Sequence, residues 1–128
     1  MSLCVALALS HAIVAMLPDR ITLTWRHTVE KVVWEEDYVA SEDAIVLSEA
    51  RIKAFGAGMD LPDNAWFSEG AWHFRPQLPP MKTVHLVNSE YGDGYEVCAE
   101  GRCFPLNRIA RGEQVVIAAC SGAGKIPS

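Results

Sequence analysis

The stretch Ile21–Tyr38, ITLTWRHTVEKVVWEEDY, decides the fold because it contains two alternating segments joined by a polar tip. In its first half, Ile21, Leu23 and Trp25 alternate with threonines, which is the period of a half-buried strand. In the second half, Trp34 is followed by three successive acids, so the strand there must have a polar, solvated or paired face. These features predict a β-hairpin with one core-facing side and a charged tip.

Short apolar runs and turn residues continue through the rest of the chain, and no segment keeps a helical period over three turns. Further strands are predicted at Leu3–Leu9, Ile13–Leu17, Ala44–Ile52, after Gly70, at Met81–Val87, in a hairpin around Cys98 and Cys103, and at Gln114–Ala119. We predict an all-β, single-domain sandwich or open barrel of about nine or ten mostly antiparallel strands. Residues 1–120 would form the domain, and residues 121–128 a flexible C-terminal tail.

The strand predicted at Ala44–Ile52 carries two charged residues within an apolar pattern. Strict alternation places Glu49 and Arg51 on the same face as Ile45 and Leu47. Because isolated charges are costly to bury, we expect this pair to be buried and paired, or to lie at the rim of a pocket.

Composition limits the functional classes. The chain has 128 residues, half of them apolar, and a formal net charge of −5 with scattered basic residues. This charge argues against a nucleic-acid surface, and no run of about eighteen apolar residues predicts a membrane span. Ser2–Leu17 is apolar, but no basic residue precedes it and Ser10 and His11 interrupt it, so we expect no signal peptide. The predicted location is the cytoplasm, including the inner-membrane surface, with the periplasm as the alternative.

Four cysteines are present, at positions 4, 98, 103 and 120. In the expected compartment their default state is the reduced thiol. The CAEGRC spacing sets Cys98 and Cys103 opposite each other across a hairpin, so a disulfide is the alternative. A zinc site is less favoured, because the C-x2-C spacing is absent.

Titratable and aromatic residues concentrate at the hairpin tip. Many like charges lie close together there, which is unfavourable unless a cation or solvent offsets them. The candidate ligand- or partner-binding residues are Trp25, His27, Glu30, Lys31, Trp34, Glu35, Glu36, Glu49, Arg51 and Met59. The structural alternative is a hydrogen-bond network with core tryptophans. A small polar ligand or a partner protein would bind here.

Motifs for catalysis are weak. The glycines of Phe55–Ala65 lack the spacing of a phosphate loop, and Ser89 lacks a nucleophile elbow. We therefore predict no catalytic residues and no cofactor, leave a metal open, and favour a non-enzymatic binding module. The alternative is a small metal-dependent or hydrolytic enzyme that uses His27, Glu30 and Glu35.

Four segments also carry a family resemblance. They are LTWRHTVEKVVWEEDY, LSEARIKAFGAGMDLPDNA, LPPMKTVHLVNSEY and CAEGRC, at residues 23–38, 47–65, 78–91 and 98–103. Together they resemble the bacterial family called domain of unknown function 1850. Members are small proteins typically encoded beside TRAP transporters of the TAXI type. The resemblance implies an accessory role in transport, with a TRAP membrane subunit as partner, and it implies no mechanism.

Overall fold

A computed structural model of the chain describes residues 2–27, 32–53, 61–89, 94–121, 124 and 126. These ranges contain eleven strands and one turn of 3-10 helix, at Leu106–Arg108. The strands are β1 (Ser2–Leu7), β2 (Ile13–Leu17), β3 (Arg20–His27), β4 (Val32–Ser41), β5 (Ala44–Lys53), β6 (Trp66–Ser68), β7 (Ala71–Phe74), β8 (Thr83–Leu86), β9 (Tyr95–Ala99), β10 (Arg102–Pro105) and β11 (Val115–Cys120). The all-β prediction is confirmed, with β6 as the strand that the sequence did not predict.

The strands form two antiparallel sheets. The smaller sheet has the order β2-β1-β11-β8, and the larger one has the order β10-β9-β3-β4-β5-β7-β6. Neither closes on itself, so the fold is a sandwich rather than a barrel. Among the described residues, no helix is long and apolar enough to cross a membrane.

The core lies between the two sheets. Leu3 and Ile117 from the smaller sheet pack in one cluster with Ile21, Leu23 and Ile45 from the larger sheet. We call the side of the larger sheet that faces this core the inner face, and the opposite side the outer face. The predicted alternation of β3 is confirmed for Ile21 and Leu23, which are buried, and for Trp25, which packs against the cluster.

A β-bulge in β5 overturns one prediction. Leu47 pairs with Tyr38 and Glu49 pairs with Asp37, which leaves Ser48 as an extra residue. An extra residue reverses the alternation beyond it. Glu49 and Arg51 therefore lie on the outer face and do not share a face with Ile45 and Leu47. The buried inner positions after the bulge are occupied by Ala50 and Ile52.

All four cysteines are paired, so the expectation of reduced thiols was wrong for this structure. Cys98 and Cys103 lie directly opposite each other in β9 and β10 and form one disulfide. The intervening turn has Glu100 and Gly101 at φ 54° and 78°, the left-handed pair that closes a two-residue hairpin. The second disulfide joins Cys4 to Cys120, 116 residues apart, and was not predicted.

Two described residues beyond β11 contact the start of β2. The carbonyl of Gly124 accepts a 2.7 Å hydrogen bond from the backbone N–H of Ile13. The N–H of Ile126 donates to the carbonyl of His11, and the Ile126 side chain is buried. The division into a domain and a flexible tail stays a prediction.

The inner-face register is tested by a pair of neighbouring substitutions in β3. Leu23 is 1% exposed, so Leu23→Ala removes a fully buried side chain and should lower the free energy of unfolding by about 3–4 kcal/mol. Thr24→Ala changes the outer face of the same strand and should cost less than about 1 kcal/mol. Urea unfolding measures both, and equal losses would contradict the register.

Candidate functional site

The predicted site residues fall into three groups. Glu30, Lys31 and Met59 lie outside the described residues, and for His27 only the backbone, paired with Val32, is described. The other predicted residues are divided between the two faces of the larger sheet. Trp25, Trp34 and Glu36 are on the inner face, whereas Glu35, Glu49 and Arg51 are on the outer face. The single cluster that the sequence suggested is therefore two separate sites.

Arg51 is the centre of the outer-face site. Its Nε donates to Glu35 Oε1 at 2.9 Å, and its Nη1 donates to Asp37 Oδ2 at 2.6 Å and to Glu49 Oε2 at 2.7 Å. Its Nη2 donates to the other Asp37 oxygen at 2.7 Å. The guanidinium is thus shared by three carboxylates, one of them held by both of its oxygens. Lys53 adds a 3.5 Å contact to Glu35.

Asp37 shows how tightly this network holds its charges. Burial alone would raise the pKa of its carboxyl group, but hydrogen bonds from Arg51 and Thr22 outweigh burial and lower it. The hydrogen bonds that Arg51 donates to Asp37 in turn raise the pKa of the Arg51 guanidinium. Since the outer acids already bind a fixed cation, this site has the character of a structural network rather than of an acid–base centre.

His73, Trp66 and Asp37 belong to the outer-face site and were not among the predicted site residues. His73 lies beside Arg51 in register, with Nδ1 3.2 Å from Glu49 Oε2 and Nε2 3.0 Å from the Ser68 carbonyl oxygen. The Trp66 ring stacks on the His73 ring, with the two ring centroids 5.3 Å apart. Recognising β6 would have placed Trp66 and His73 opposite each other, but its three residues gave too short a pattern.

A groove of about 270 Å³ adjoins this network on the outer face. Thr22, Asp37, Ser48 and Cys98 contribute to its lining. Both carboxylate oxygens of Asp37 already accept hydrogen bonds from Arg51 or Thr22. The Asp37 carboxylate in the lining is therefore already paired, and Glu100 is the second acid of the lining.

A row of large apolar side chains crosses the inner face. The register joins neighbours on six consecutive strands, from β9 to β6, in the order Tyr95, Trp25, Trp34, Ile52, Trp72 and Phe67. We call these six residues the aromatic row. The rings of Trp25 and Trp34 are stacked with centroids 6.1 Å apart, and the Trp25 and Tyr95 rings are tilted with centroids 5.6 Å apart.

The aromatic row is only partly covered by the protein. Ile52 at its centre is 3% exposed, whereas Phe67 at its end is 56% exposed. Trp25, Trp34 and the other two members are partly exposed. Partly exposed aromatic side chains combine a large apolar area with few rotatable bonds, which suits them to recognition.

Glu36 lies beside the aromatic row, two residues along β4 from Trp34 and opposite Leu23 in β3. Its Oε1 accepts a 2.9 Å hydrogen bond from the Tyr38 hydroxyl. Burial raises the pKa of Glu36, and the Tyr38 bond only partly opposes this. The Glu36 charge in turn contributes to raising the pKa values of Tyr38 and Tyr95, second to burial in both. Glu36 therefore lies close to both phenols.

The contrast between Arg51 and its neighbour Lys53 tests the outer-face network. The Arg51 side chain is 17% exposed and holds three acids, so Arg51→Met leaves partly buried carboxylates without their cation. We expect it to lower the free energy of unfolding by about 2 kcal/mol or more. Lys53→Met removes one long contact of a side chain that is 51% exposed and should cost less than about 0.5 kcal/mol. Similar losses for both variants would contradict the network.

Glu36→Gln tests the cost of the inner-face carboxylate. The pKa of Glu36 in the folded protein is raised above the ordinary value of 4.5. Protonated Glu36 therefore makes its full contribution to the free energy of unfolding below pH 4.5. This contribution is lost as the pH rises through the folded pKa. Glu36→Gln keeps the acceptor for Tyr38 and removes the charge, so it should match or exceed the wild type at neutral pH, by less than about 1 kcal/mol. Urea unfolding that shows a large loss at neutral pH would refute this.

Comparison with known proteins identifies one family. The protein-family model described as "Domain of unknown function (DUF1850)" matches residues 21–106, about two thirds of the chain. Apart from Arg20, the first residue of β3, the matched range contains the strands of the larger sheet. It also contains the Arg51 network, the aromatic row and the disulfide between Cys98 and Cys103. Strands β1, β2 and β11 lie outside it. No curated protein and no solved structure matches the chain.

Proposed function

The chain belongs to that family, and on this premise we propose that it is a non-enzymatic binding module that acts as an accessory protein of a TRAP-type transport system of the TAXI class. The aromatic row is the observation that carries the proposal. It gives the inner face a partly exposed apolar strip that runs across six strands, and Phe67 extends it to the edge of the sheet. A strip of this kind suits a partner or ligand surface.

The distribution of the acids supports binding over catalysis. An acid–base pair needs its groups to converge on one reacting atom. In the described residues, Glu35 faces outward and is held by Arg51, whereas Glu36 faces inward beside the aromatic row. Two neighbouring acids on opposite faces of a strand cannot act on the same bond. The inner face therefore offers recognition by rings and one carboxylate.

The disulfides bear on where the module works. Structural disulfides persist in oxidising compartments and are rare in the cytoplasm. The Cys4–Cys120 pair joins β1 to β11 and is buried, and Cys98–Cys103 spans the β9–β10 hairpin. These two pairings support the periplasm as the place of action, in preference to the cytoplasmic location that the N-terminal sequence favoured.

Site-specific photo-cross-linking tests the transporter association. With p-benzoylphenylalanine at Phe67, an exposed aromatic at the end of the row, the tagged chain should cross-link to a TRAP membrane subunit in cells that contain one. Placed at Leu9, which is 98% exposed in the turn between β1 and β2, the same group serves as the control and should give no such product. A cross-link from Leu9 alone, or from neither position, would overturn the proposed association.

A further inference from the structure

We propose that the inner-face end of β3, β4 and β9 binds an organic ammonium group, with Trp25, Trp34 and Tyr95 contacting the cation and Glu36 offsetting its charge. This inference deepens the proposed function and rests on it, because it assigns a ligand chemistry to the same face. We call these four residues the ammonium site.

The state of the Glu36 carboxylate is the first argument. It is partly buried, and among the described residues its one hydrogen-bond partner is the Tyr38 hydroxyl. No Lys, Arg or His among the described residues forms an ion pair with it, whereas the outer acids Glu35, Asp37 and Glu49 all bind Arg51. A partly buried carboxylate without a cation is unfavourable for stability. A cationic ligand would remove this penalty.

The aromatic surroundings are the second argument. Trp25 and Trp34 form a stacked pair, and Tyr95 lies against Trp25. Glu36 follows Trp34 on the same face of β4 and is diagonal to Trp25 across the β3–β4 ladder, a distance that large side chains bridge. Aromatic faces attract cations through their quadrupole, and tryptophan does so best. An acid flanked by indoles and a phenol is the set of groups that recognises alkylammonium ions.

Size and hydration decide which cation fits. A compact metal ion prefers several oxygen ligands, and the described inner face offers one carboxylate beside rings. A quaternary ammonium group is weakly hydrated and presents its methyl groups to the rings while its charge faces the acid, and a lysine ammonium brings its methylene stem to the rings. The site therefore suits an organic ammonium ion, either as a free ligand or on a partner's lysine side chain.

Choline chloride is the probe, and 3,3-dimethylbutan-1-ol is its neutral control of nearly the same shape. The indole N–H signals of the four tryptophans are followed by NMR in the full-length chain. Choline should shift the Trp25 and Trp34 signals saturably and leave Trp66, which lies on the outer face, unchanged. The neutral alcohol should bind at least about tenfold more weakly.

Two charge-matched variants test the role of Glu36. Glu36→Gln should weaken choline binding at least about tenfold. Glu96→Gln removes the same charge from an exposed position next to Tyr95, and because Glu96 pairs with Thr24 on the outer face, it should bind like the wild type. The proposal is overturned if choline and the alcohol act alike, or if Glu36→Gln binds choline as well as Glu96→Gln does.

A second titration distinguishes the two sources of the ammonium group. Tighter binding of N-acetyl-lysine methylamide than of choline would assign the cation to a partner's side chain, and the reverse order would assign it to a free ligand. Failure of this inference is separable from failure of the proposed function. Choline binding without cross-linking from Phe67 would remove only the transporter association, whereas cross-linking without binding of either ammonium probe would remove only the ammonium site.

Discussion

The β-bulge at Ser48 is the constraint on which the arrangement of both faces depends. It lets a single strand present Ile45 and Leu47 to the core, and then Ala50 and Ile52, while Arg51 points away. The Ser48 hydroxyl donates to the Asp37 carbonyl at 3.2 Å on the partner strand. Without the extra residue, a guanidinium and a carboxylate would face the apolar core, at a cost of several kcal/mol for each unpaired charge.

Strand alternation separates two acids that are adjacent in sequence. Glu36 and Asp37 occupy consecutive positions of β4, yet burial raises the pKa of Glu36, while hydrogen bonds from Arg51 and Thr22 lower that of Asp37. The outer acid is paired and supports the sheet. The inner acid lies beside aromatic rings and has a hydroxyl partner, but no cationic partner in the part of the chain that the structure describes. Groups that weaken stability in this way are candidates for function, since a purely structural position would favour a neutral side chain.

Much of the fold was predictable because the physical signal was local. The alternation in Ile21–Tyr38 placed β3 and β4 and the inner position of Trp25 correctly, and the CAEGRC spacing placed Cys98 opposite Cys103. The direction of Arg51 was not predictable, because counting alternate residues cannot detect one unpaired residue within a strand. The Cys4–Cys120 disulfide could not be predicted for another reason. It depends on the pairing of β1 with β11, which are far apart in sequence.

The candidate site was predicted in composition more than in arrangement. Trp25, Trp34 and Glu36 are together on one face as aromatic and acidic neighbours, whereas the predicted grouping of Glu35 with Glu36 fails because successive residues of a strand point to opposite sides. His73 joins the outer network only through tertiary pairing of β7 with β5. Sequence spacing alone gives no sign of that contact.

The separation of the two faces is the central claim, and a double-mutant cycle on unfolding free energies tests it most directly. Arg51→Met is combined with Asp37→Asn in one cycle and with Glu36→Gln in the other. Arg51 should couple to Asp37 by more than about 1 kcal/mol and to Glu36 by less than about 0.5 kcal/mol. Strong coupling between Arg51 and Glu36, with none between Arg51 and Asp37, would contradict the arrangement of both sites.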